Sequence, residues 1–451
     1  MRRYLRAWLL CAAAFGPFEA AQAATIDVPT ATRLADILLA DNQPAAAEVI
    51  LRELLKRDPD NPDLLAAMSR AQTGTGDAKA GVDTARRAFQ QASTKAEKAR
   101  TARRMAQALS ANGNKTRAQI WLRRAGQYAE DPRMKQAIRQ EFDYVRTRNP
   151  LSYSFDFSIK PSDNVNSAPT SNTLSYGPIT IVNLANRPIS GIEYWSTAQV
   201  AWRLPSTQTR QSQFDLSYIG RRVSLGSEAD DIDPDLSASD LSFDRLAIGW
   251  RGKFRIPGQK GVFDLGTQIF RDLSGGDPYQ NGQALTFGYG WQPSKGRHAR
   301  VSWTVQNQNR LDDGTFSSLS NRIALDWATP LPNRGRLRFH VALSDTQSDS
   351  TQVAGSALDM RVGYVLPEPI LTARIELGAE WRIAEYDAPI NSLFDRRSDD
   401  RFAFTTNATF PKLDVYGFVP VLEMRHERNT STVPLYDTRS TTIGLSLRSI
   451  Y

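Results

Sequence analysis

The chain has 451 residues, with 56 Lys and Arg against 48 Asp and Glu, so it is long enough for two or three domains. Its one cysteine, Cys11, lies in the first segment, which excludes disulfides and thiolate chemistry from residue 24 onward. Beyond that residue no run reaches the roughly 18 apolar residues of a membrane helix. Strands, which stay polar on average, are the remaining way to span a bilayer.

Residues 1–23 are predicted to be a secretory signal peptide. Three arginines fall among the first six residues, residues 8–15 form a short apolar core, and Ala21-Gln22-Ala23 has the pattern of a cleavage site. Cys11 follows Leu9-Leu10 and lacks the small preceding residue that a lipid-attachment motif needs. We therefore expect an exported chain without a lipid anchor at this cysteine.

The segment 24–148 is predicted to be an α-helical repeat domain, because its apolar residues recur at helical spacing. Ala47, Gly81 and Ala118 follow similar turns and lie 34 and 37 residues apart, close to the roughly 34-residue period of tetratricopeptide repeats. The sequence thus predicts about three such units, with these small residues at helix–helix contacts and a groove for extended partners. The core of the last unit is expected to hold three large side chains: Trp121, Leu122 and Tyr128.

The basic excess of the chain belongs to this domain. Residues 24–150 hold 22 Lys and Arg against 15 Asp and Glu, whereas residues 151–451 hold 31 against 32. Two interpretations remain open. A solvated helix surface is favoured, and a face that binds acidic client proteins or anionic lipid headgroups is the alternative.

From residue 149 the apolar period changes from 3.6 to 2, as Tyr153, Phe155, Phe157 and Ile159 alternate with polar residues. The pattern continues to the end of the chain and predicts fourteen strands: 152–160, 192–204, 211–219, 240–251, 262–271, 283–292, 298–308, 319–328, 336–345, 356–366, 371–386, 400–410, 413–426 and 438–451. An even number suits an antiparallel membrane barrel. Residues 149–451 are therefore predicted to form a transmembrane β-barrel, with a soluble sandwich as the unfavoured alternative.

The predicted connections alternate in character. Those after even strands are short and carry proline, at residues 205, 257, 293, 330–332, 367–369 and 411. Those after odd strands are mostly longer and polar, at 161–191, 220–239, 272–282, 309–318 and 387–399. Outer-membrane barrels have short periplasmic turns and long outer loops. We therefore expect the barrel in the outer membrane and the helical domain in the periplasm.

Aromatic residues mark the predicted periplasmic ends of the even strands: Trp202, Trp250, Trp291, Trp327, Tyr364, Phe410 and Tyr451. Aromatic rings at this level form the girdles of membrane barrels. The last strand carries Ile443, Leu445 and Leu447 on one face and ends in Tyr451, which is similar to the C-terminal signal read by the barrel assembly machinery. Ser449 stands where that signal usually has an apolar residue.

Little in the sequence indicates chemistry. His298, His340 and His426 lie on separate predicted strands without ligand spacing, and motifs for a nucleophile elbow, a phosphate loop or a zinc helix are absent. The acidic run 228–233 is more typical of a solvated loop than of a divalent-cation site. We expect no catalytic residue, no metal site, no cofactor and no enzyme activity. A hydrolase that uses His340 or His426 is the unfavoured alternative.

The segment after the first predicted strand carries a more specific pattern. Pro161, Asp163, Asn164 and Asn166 form a P-x-D-N-x-N-x-A string that, with the aromatic first strand, resembles the surface lipoprotein assembly modifier (Slam) family. Domain order, strand number and motif agree over essentially the whole mature chain. The resemblance implies a Gram-negative outer-membrane translocator that moves surface lipoproteins, or related haem- and iron-acquisition proteins, to the cell surface. The four residues either fix a turn, which Asx side chains favour, or contact the client.

These expectations combine into a protein-secretion hypothesis. The repeat groove holds an incompletely folded client in the periplasm, and the lumen or the seam between the first and last strands provides the passage, since exposed strand edges pair readily. The expected partners are the client, outer-membrane lipids and the barrel assembly machinery, and no nucleic acid. The competing hypotheses are an exopolysaccharide exporter or porin, and a structural or adhesin barrel.

Overall fold

The computed structural model describes residues 26–170, 173–176, 179–182, 187–332, 334–389 and 396–449. The predicted signal peptide and Tyr451 lie outside these ranges. The chain divides into two compact units, Met1–Phe142 and Asp143–Tyr451. The division falls inside the last helix before the barrel, which ends at Arg148, and the first strand begins at Leu151.

The first unit consists of helices that pack on their neighbours along the chain. The helices are α1 (Val28–Ala40), α2 (Pro44–Arg57), α3 (Pro62–Gly74), α4 (Ala78–Gln91), α5 (Lys95–Ala111), α6 (Lys115–Tyr128) and the start of α7 (Pro132–Arg148). Besides its chain neighbours, α3 contacts α1 and α5, so these three alternate helices form one layer. No helix in the described ranges is long and apolar enough to cross a membrane.

Side-chain caps set the starts of two of these helices. The Asn61 side chain accepts backbone hydrogen bonds at the start of α3. At the start of α5, Thr94 and Glu97 form a capping box in which the Glu97 carboxylate accepts from the backbone N–H groups of Thr94 and Ser93. Such caps satisfy N–H groups that have no partner within the helix. These hydrogen bonds lower the pKa of Glu97 to about 2.

Small residues allow the helices to approach closely. Ala47 and Ala118 are fully buried. Gly81 is also buried, and a Cβ added there lies 2.4 Å from Thr73 Oγ1. Ser69 Oγ donates to the Gly81 carbonyl at 2.7 Å. The three small residues singled out in the sequence therefore lie where helices meet.

The large side chains of the last unit are only partly in its core. Leu122 is buried, but Trp121 and Tyr128 are half-buried and pack against Phe89 of α4, with ring centroids 4.9 and 6.2 Å apart. The Arg124 guanidinium lies over the Phe89 ring at 4.5 Å. The amphipathic rings thus lie at the contact of α4 with α6, where one side of each ring stays exposed.

We predict that Gly81→Val destabilises the helical unit by about 1–3 kcal/mol, because the added methyl groups overlap Thr73 and strain a packed contact. Thermal unfolding of the full chain, followed by circular dichroism at 222 nm, measures the effect. Lys79→Val, on the exposed side of the same helix, is the control without a packing change; valine has a higher helix propensity than glycine and a lower one than lysine, so propensity alone would destabilise this control and stabilise Gly81→Val. Equal unfolding temperatures for the two variants contradict a packing role for Gly81.

The second unit is a closed antiparallel barrel. Its strands are β1 (Leu151–Ser162), β4 (Gly191–Arg203), β5 (Arg210–Leu225), β6 (Phe243–Phe254), β7 (Gly261–Ser274), β8 (Asp277–Trp291), β9 (His298–Arg310), β10 (Ser318–Pro330), β11 (Arg336–Ser348), β12 (Gly355–Val365), β13 (Arg374–Pro389), β14 (Arg396–Thr409), β15 (Phe418–Ser431) and β16 (Thr438–Ser449). Each pairs with its chain neighbours, and β1 closes the ring with β16. The prediction of a 14-stranded barrel after a helical domain is confirmed.

The connections differ from the predicted alternation. One end of the barrel is called the short-turn end. Its connections cover residues 204–209, 255–260, 292–297, 331–335, 366–373 and 410–417. At the other, here the long-loop end, 163–190 and 226–242 are long, and 163–190 holds a separate hairpin of β2 (Thr173–Tyr176) and β3 (Ile179–Val182). The connections 311–317, 349–354 and 432–437 are as short as those of the short-turn end, so strict alternation of length is wrong.

The predicted loop 272–282 is also wrong. β7 runs to Ser274 and β8 begins at Asp277, leaving Gly275 and Gly276 as the whole turn. Both have positive φ, 62° and 93°, which glycine adopts without steric cost and which two-residue hairpin turns need. The polar composition of the segment resembled a loop, but the two glycines close a hairpin.

A belt of exposed apolar side chains runs around the outside of the barrel. Each of the fourteen strands contributes to it, for example through Phe157, Trp202, Leu216, Ile248, Ile269, Phe287, Trp303, Ile323, Val341, Val362, Trp381, Phe404, Met424 and Leu445. Residues between them face inward and are small or polar; Ala324, between exposed Ile323 and Leu325, is buried. Water-soluble surfaces rarely expose so continuous an apolar area, whereas hydrocarbon-facing barrels require it.

Candidate functional site

The inner wall of the barrel is lined with ion pairs between strands. They join arginine and lysine side chains to acids on the adjacent strand or on the strand beyond it, at 2.6 to 3.9 Å: Arg251–Asp215, Arg300–Asp264, Arg300–Asp326, Arg322–Asp359, Arg382–Asp359, Arg425–Glu380, Arg401–Glu427 and Lys160–Glu423. These residues alternate with the apolar belt along each strand, so they point into the lumen. The lumen is therefore strongly polar.

Asp359 shows how the inner charges are held. Its side chain is buried and receives bonds from Arg322 at 2.6 Å and Arg382 at 3.0 Å, one from each side of β12. A buried carboxylate is tolerated where cations and hydrogen bonds compensate it. Such pairs fix the side chains against the wall and keep the lumen shape defined.

The lumen contains two chambers. The first, of about 1020 Å³, lies toward the short-turn end and includes Lys253, Arg255 and Lys260 together with the Arg251–Asp215 and Arg300–Asp264 pairs. The second, of about 960 Å³, lies toward the long-loop end and includes Glu193, Arg221, Tyr386, Arg425 and Glu427. Both are lined by charged and polar groups, as expected of a water-filled interior.

The two long loops pack on each other at their end of the barrel. Their contact is an apolar cluster of Val165, Ile189, Val223 and Ala229. Arg221 donates to the Val165 carbonyl at 2.6 Å and to Glu193 at 2.6 Å. Residues 240–243 of the second loop, with Asn164 of the first, line the second chamber. The loops thus fold as one body beside that chamber.

The acidic run 228–233 takes part in this contact. It begins with Glu228, whose carboxylate accepts from the Ser190 hydroxyl and from the Ser190 backbone N–H; the hydrogen bond from the hydroxyl lowers the pKa of Glu228. Residues 229–232 form one helical turn. Within the described residues no group of three metal-ligating side chains occurs.

The seam between β1 and β16 is the least regular part of the ring. The ladder pairs residues 156–159 with 445–448, stops at Lys160 and Pro161, and resumes at Ser162. Pro161 has no N–H to donate to a ladder, and proline in sheets is confined to such interrupted places. On its other side β1 pairs with β4 at every residue from Leu151 to Ser162.

Side chains close the seam where the ladder stops. Lys160 reaches past β16 to Glu423 of β15 at 2.7 Å, and Arg448 of β16 meets the same carboxylate at 3.0 Å. Gly444 permits the close approach, since a Cβ there lies 2.6 Å from the Ile159 carbonyl oxygen. The seam is therefore fastened on the lumen side by a shared carboxylate.

The residues of the P-x-D-N-x-N-x-A string continue this closure at the long-loop end. Asp163 Oδ1 accepts from the Thr441 backbone N–H at 2.6 Å. Buried Asn164 donates to the carbonyls of Arg439 at 3.0 Å and Ala168 at 2.8 Å, and accepts from the Ala168 N–H at 2.9 Å. Thr441 and Arg439 belong to β16, so the string ties the first loop to the last strand.

Asn166 makes the corresponding bonds within the first loop. Its Oδ1 accepts from the Ile189 N–H at 3.0 Å and its Nδ2 donates to the Arg187 carbonyl at 2.8 Å. The loop is thereby closed across its base. Contacts of this kind fix backbone, which is the role favoured for these residues from the sequence.

Most of the other residues singled out in the sequence lie on the outside of the barrel, although Trp291 also borders the first chamber. Ile443, Leu445 and Leu447 are exposed on the outside of β16, in the apolar belt. The aromatic residues at the short-turn end are exposed or half-buried: Trp202, Trp250, Trp291, Trp327, Tyr364 and Phe410. Their position agrees with an interfacial ring.

The three histidines are not brought together. His340 Nδ1 lies 2.8 Å from Asp326 Oδ1 and His426 Nδ1 lies 2.9 Å from Thr441 Oγ1, while His298 borders the first chamber. The inner ion pairs were not predicted from the sequence. Their signal is present as charged residues at the inward positions of each strand, but only the register between strands pairs them.

The comparisons with known proteins agree with the fold. The tetratricopeptide repeat family matches residues 38–84, which confirms the repeat prediction for that part of the helical unit. None of the curated proteins matches the chain significantly.

Solved structures match parts of the chain at low similarity. OprB of Pseudomonas putida is 8% identical over 68% of this chain and 96% of its own, with a TM-score of 0.37. A bacterial polysaccharide outer membrane secretin is 10% identical over 65% and 98%, with a TM-score of 0.31. The type III secretion translocator chaperone SycD of Yersinia enterocolitica is 13% identical over 28% and 88%, with a TM-score of 0.24. At these values the similarities carry no argument about this chain.

We predict that Asn164→Ala weakens the barrel by about 1–3 kcal/mol, because it leaves the Arg439 carbonyl and the Ala168 backbone groups without a partner. The loss of stability is measured by heating samples and finding the temperature at which the folded band converts to the unfolded band on a gel. Asn309→Ala removes an exposed asparagine from a strand end and serves as the control. A conversion temperature equal to that of this control contradicts a fastening role.

Proposed function

We propose that this chain is an outer-membrane translocator that helps move surface lipoproteins, or related haem- and iron-acquisition proteins, to the cell surface. The observation that carries the proposal is the seam between β1 and β16, where the ladder stops and the Slam-like string supplies the contacts instead. The ladder between β1 and β16 is shorter than those between the other barrel strands, so fewer backbone hydrogen bonds break when this seam opens. It therefore suits a barrel that admits polypeptide.

The apolar belt supports a place in the outer membrane. Every barrel strand contributes exposed apolar side chains, and a bilayer is the surrounding that such a surface needs. The short-turn end is proposed to face the periplasm, since membrane barrels keep their short turns there. The helical domain precedes β1, which starts at that end, and this order supports the proposal that the helical domain lies in the periplasm as well.

The helical domain is proposed to hold the client before it crosses. A tetratricopeptide array offers a repeated surface for an extended chain, and this one carries the basic excess of the protein. The Slam resemblance supplies the client class. Partner proteins of the barrel assembly machinery are proposed to act on the last strand, whose outer face presents Ile443, Leu445 and Leu447.

The passage is proposed to run through the opened seam. When β1 and β16 part, each presents a row of unpaired backbone groups, to which β-structure of a client can pair. No described helix or loop contains a nucleotide-binding motif, so folding of the client outside is proposed to give the direction.

The first test is co-expression with a lipoprotein-like or haem-binding protein encoded beside this gene, scored by protease shaving of intact cells. We expect client exposure to require this protein and to be lost when residues 26–142 are deleted, because the barrel alone then lacks the holding domain. Immunoblots of the outer membrane confirm that the shortened barrel is present. Equal exposure with and without this protein excludes that client and this function for it.

A disulfide across the seam tests the route. Ser158 and Ser446 face each other on β1 and β16, are buried, and point inward. Because the chain after residue 24 has no cysteine, Ser158→Cys with Ser446→Cys forms one defined crosslink. We expect client exposure to stop when this pair is oxidised and to return on reduction.

The matched control is Ala324→Cys with Ala342→Cys, which joins two inward residues of β10 and β11. This crosslink leaves the seam free and is expected to leave exposure unchanged. If both crosslinks leave exposure unchanged, the seam is not the route.

The lumen supports a second candidate, an exopolysaccharide exporter or porin. Its two chambers of about 1020 and 960 Å³ are polar and charged, which suits the passage of hydrophilic solutes. Sugar export that depends on this protein, with client exposure unchanged by the seam crosslink, favours this candidate.

A further inference from the structure

Three positions in the helical domain repeat at the period of the array. Asp36, Arg70 and Arg104 follow one another at intervals of 34 residues. They lie on α1, α3 and α5, the alternate helices that form one layer. Equivalent positions on stacked units form a row across that layer, so the array presents one carboxylate and two guanidinium groups in sequence.

The carboxylates beside this row are already engaged by other cations. Arg100 holds both oxygens of Asp63 at 3.0 Å. Arg103 holds Glu141 Oε1 at 2.5 Å, and Gln107 donates to the same oxygen at 2.8 Å. Asp63 is thus engaged through both oxygens and Glu141 through Oε1, while buried Glu141 Oε2 has no hydrogen-bond partner among the described residues.

Arg70 and Arg104 bond to neutral groups instead. Arg70 donates to the Leu39 carbonyl at 2.9 Å, and Arg104 donates to the Gln107 side-chain oxygen at 2.5 Å. Among residues 26–142, the part of this unit that the structure describes, no carboxylate forms an ion pair with either arginine. Both cations of the row thus have no ion pair with an acid in the described part of the unit.

The surroundings of Arg104 work against its charge. Burial is the largest effect, and the nearby charges of Arg70 and Arg103 add to it; together they lower the pKa of Arg104 to about 10, although Glu141 and Asp36 act in the opposite direction. A half-buried guanidinium beside other cations gains more from an incoming anion than a solvated one does. Binding of an anion beside these guanidinium groups is therefore expected to be favourable.

We propose that the row of Arg70 and Arg104 binds carboxylate side chains of an acidic polypeptide segment. That this segment belongs to a translocated client rests on the proposed function; the binding site itself does not. A guanidinium group binds a carboxylate by donating two parallel hydrogen bonds to it. Packed helices lie about 8–10 Å apart, and a peptide in the polyproline II conformation places residues i and i+3 on the same side about 9 Å apart, so two acids three positions apart match the two arginines.

The test uses the full chain in detergent and a fluorescein-labelled peptide with glutamates at positions i and i+3, followed by fluorescence anisotropy. The peptide with glutamine at both positions is the matched ligand. We expect the acidic peptide to bind about tenfold more tightly, the size of one charge-assisted contact, and the preference to shrink as salt rises.

Two variants locate the site. Arg70→Ala and Arg104→Met are each expected to weaken binding of the acidic peptide about tenfold, the loss of one charge-assisted contact. Arg117→Ala is the control, because Arg117 is an exposed arginine of α6 with no ion pair among the described residues. Equal loss in all three variants, or equal binding of the glutamine peptide, overturns the proposal.

Arg104→Met also separates binding from folding. Methionine keeps an apolar stem of similar reach and removes a charge that the surroundings disfavour, so the thermal unfolding of the helical signal is expected to stay unchanged or rise. If Arg104 has only a structural role, Arg104→Met lowers the unfolding temperature and leaves peptide binding unchanged. That result overturns the proposal.

Vesicles containing phosphatidylglycerol test the other anionic surface. If Arg70→Ala and Arg104→Met lose binding to such vesicles but bind the acidic peptide as the unaltered chain does, the arginines recognise lipid and the proposal fails. Peptide binding does not depend on any client, so this site and the translocator function can fail separately. If the acidic peptide binds tightly but client exposure does not depend on the protein, the binding site is supported and the translocator function is not.

Discussion

A membrane barrel has to pair the backbone N–H and C=O groups of its first strand with those of its last, because hydrocarbon offers them no other partner. In this protein the pairing stops at Lys160 and Pro161. Lys160, Glu423 and Arg448 close the gap on the lumen side, and Asp163 and Asn164 extend it at the long-loop end. Closure at this seam thus combines a shortened backbone ladder with a few side-chain contacts, while the other strand pairs have longer ladders.

The polar lumen results from the same alternation of inward and outward residues that forms the outer apolar belt. Residues that point inward cannot meet lipid, so charges are tolerated there, provided that each finds a partner. Asp359 between Arg322 and Arg382 shows this arrangement across three strands. The ion pairs hold long side chains against the wall and leave two chambers. The interior is consequently polar and defined in shape without being filled by an apolar core.

The two units divide the work that the proposed function requires. The helical domain carries the basic excess and a periodic row of arginines, which suits the recognition of an unfolded acidic segment. The barrel carries the apolar belt and the seam, which suit insertion and opening. Under the proposed function, electrostatic attraction to the helical domain acts before any contact with lipid, so holding and crossing would be separate steps.

The sequence by itself determined the two domains and the number of barrel strands, because the periods of 3.6 and 2 are local properties of helix and strand. For Asp163, Asn164 and Asn166 it left a fixed turn and a client contact both open; the structure shows their side chains bonded to backbone, partly that of β16. The sequence failed at residues 272–282, where composition indicated a loop and two glycines close a hairpin. Only the tertiary structure paired Lys160 with Glu423 and left Arg70 and Arg104 without an acidic partner. These relations join residues far apart in the chain, and the register of strands and the stacking of helices decide them.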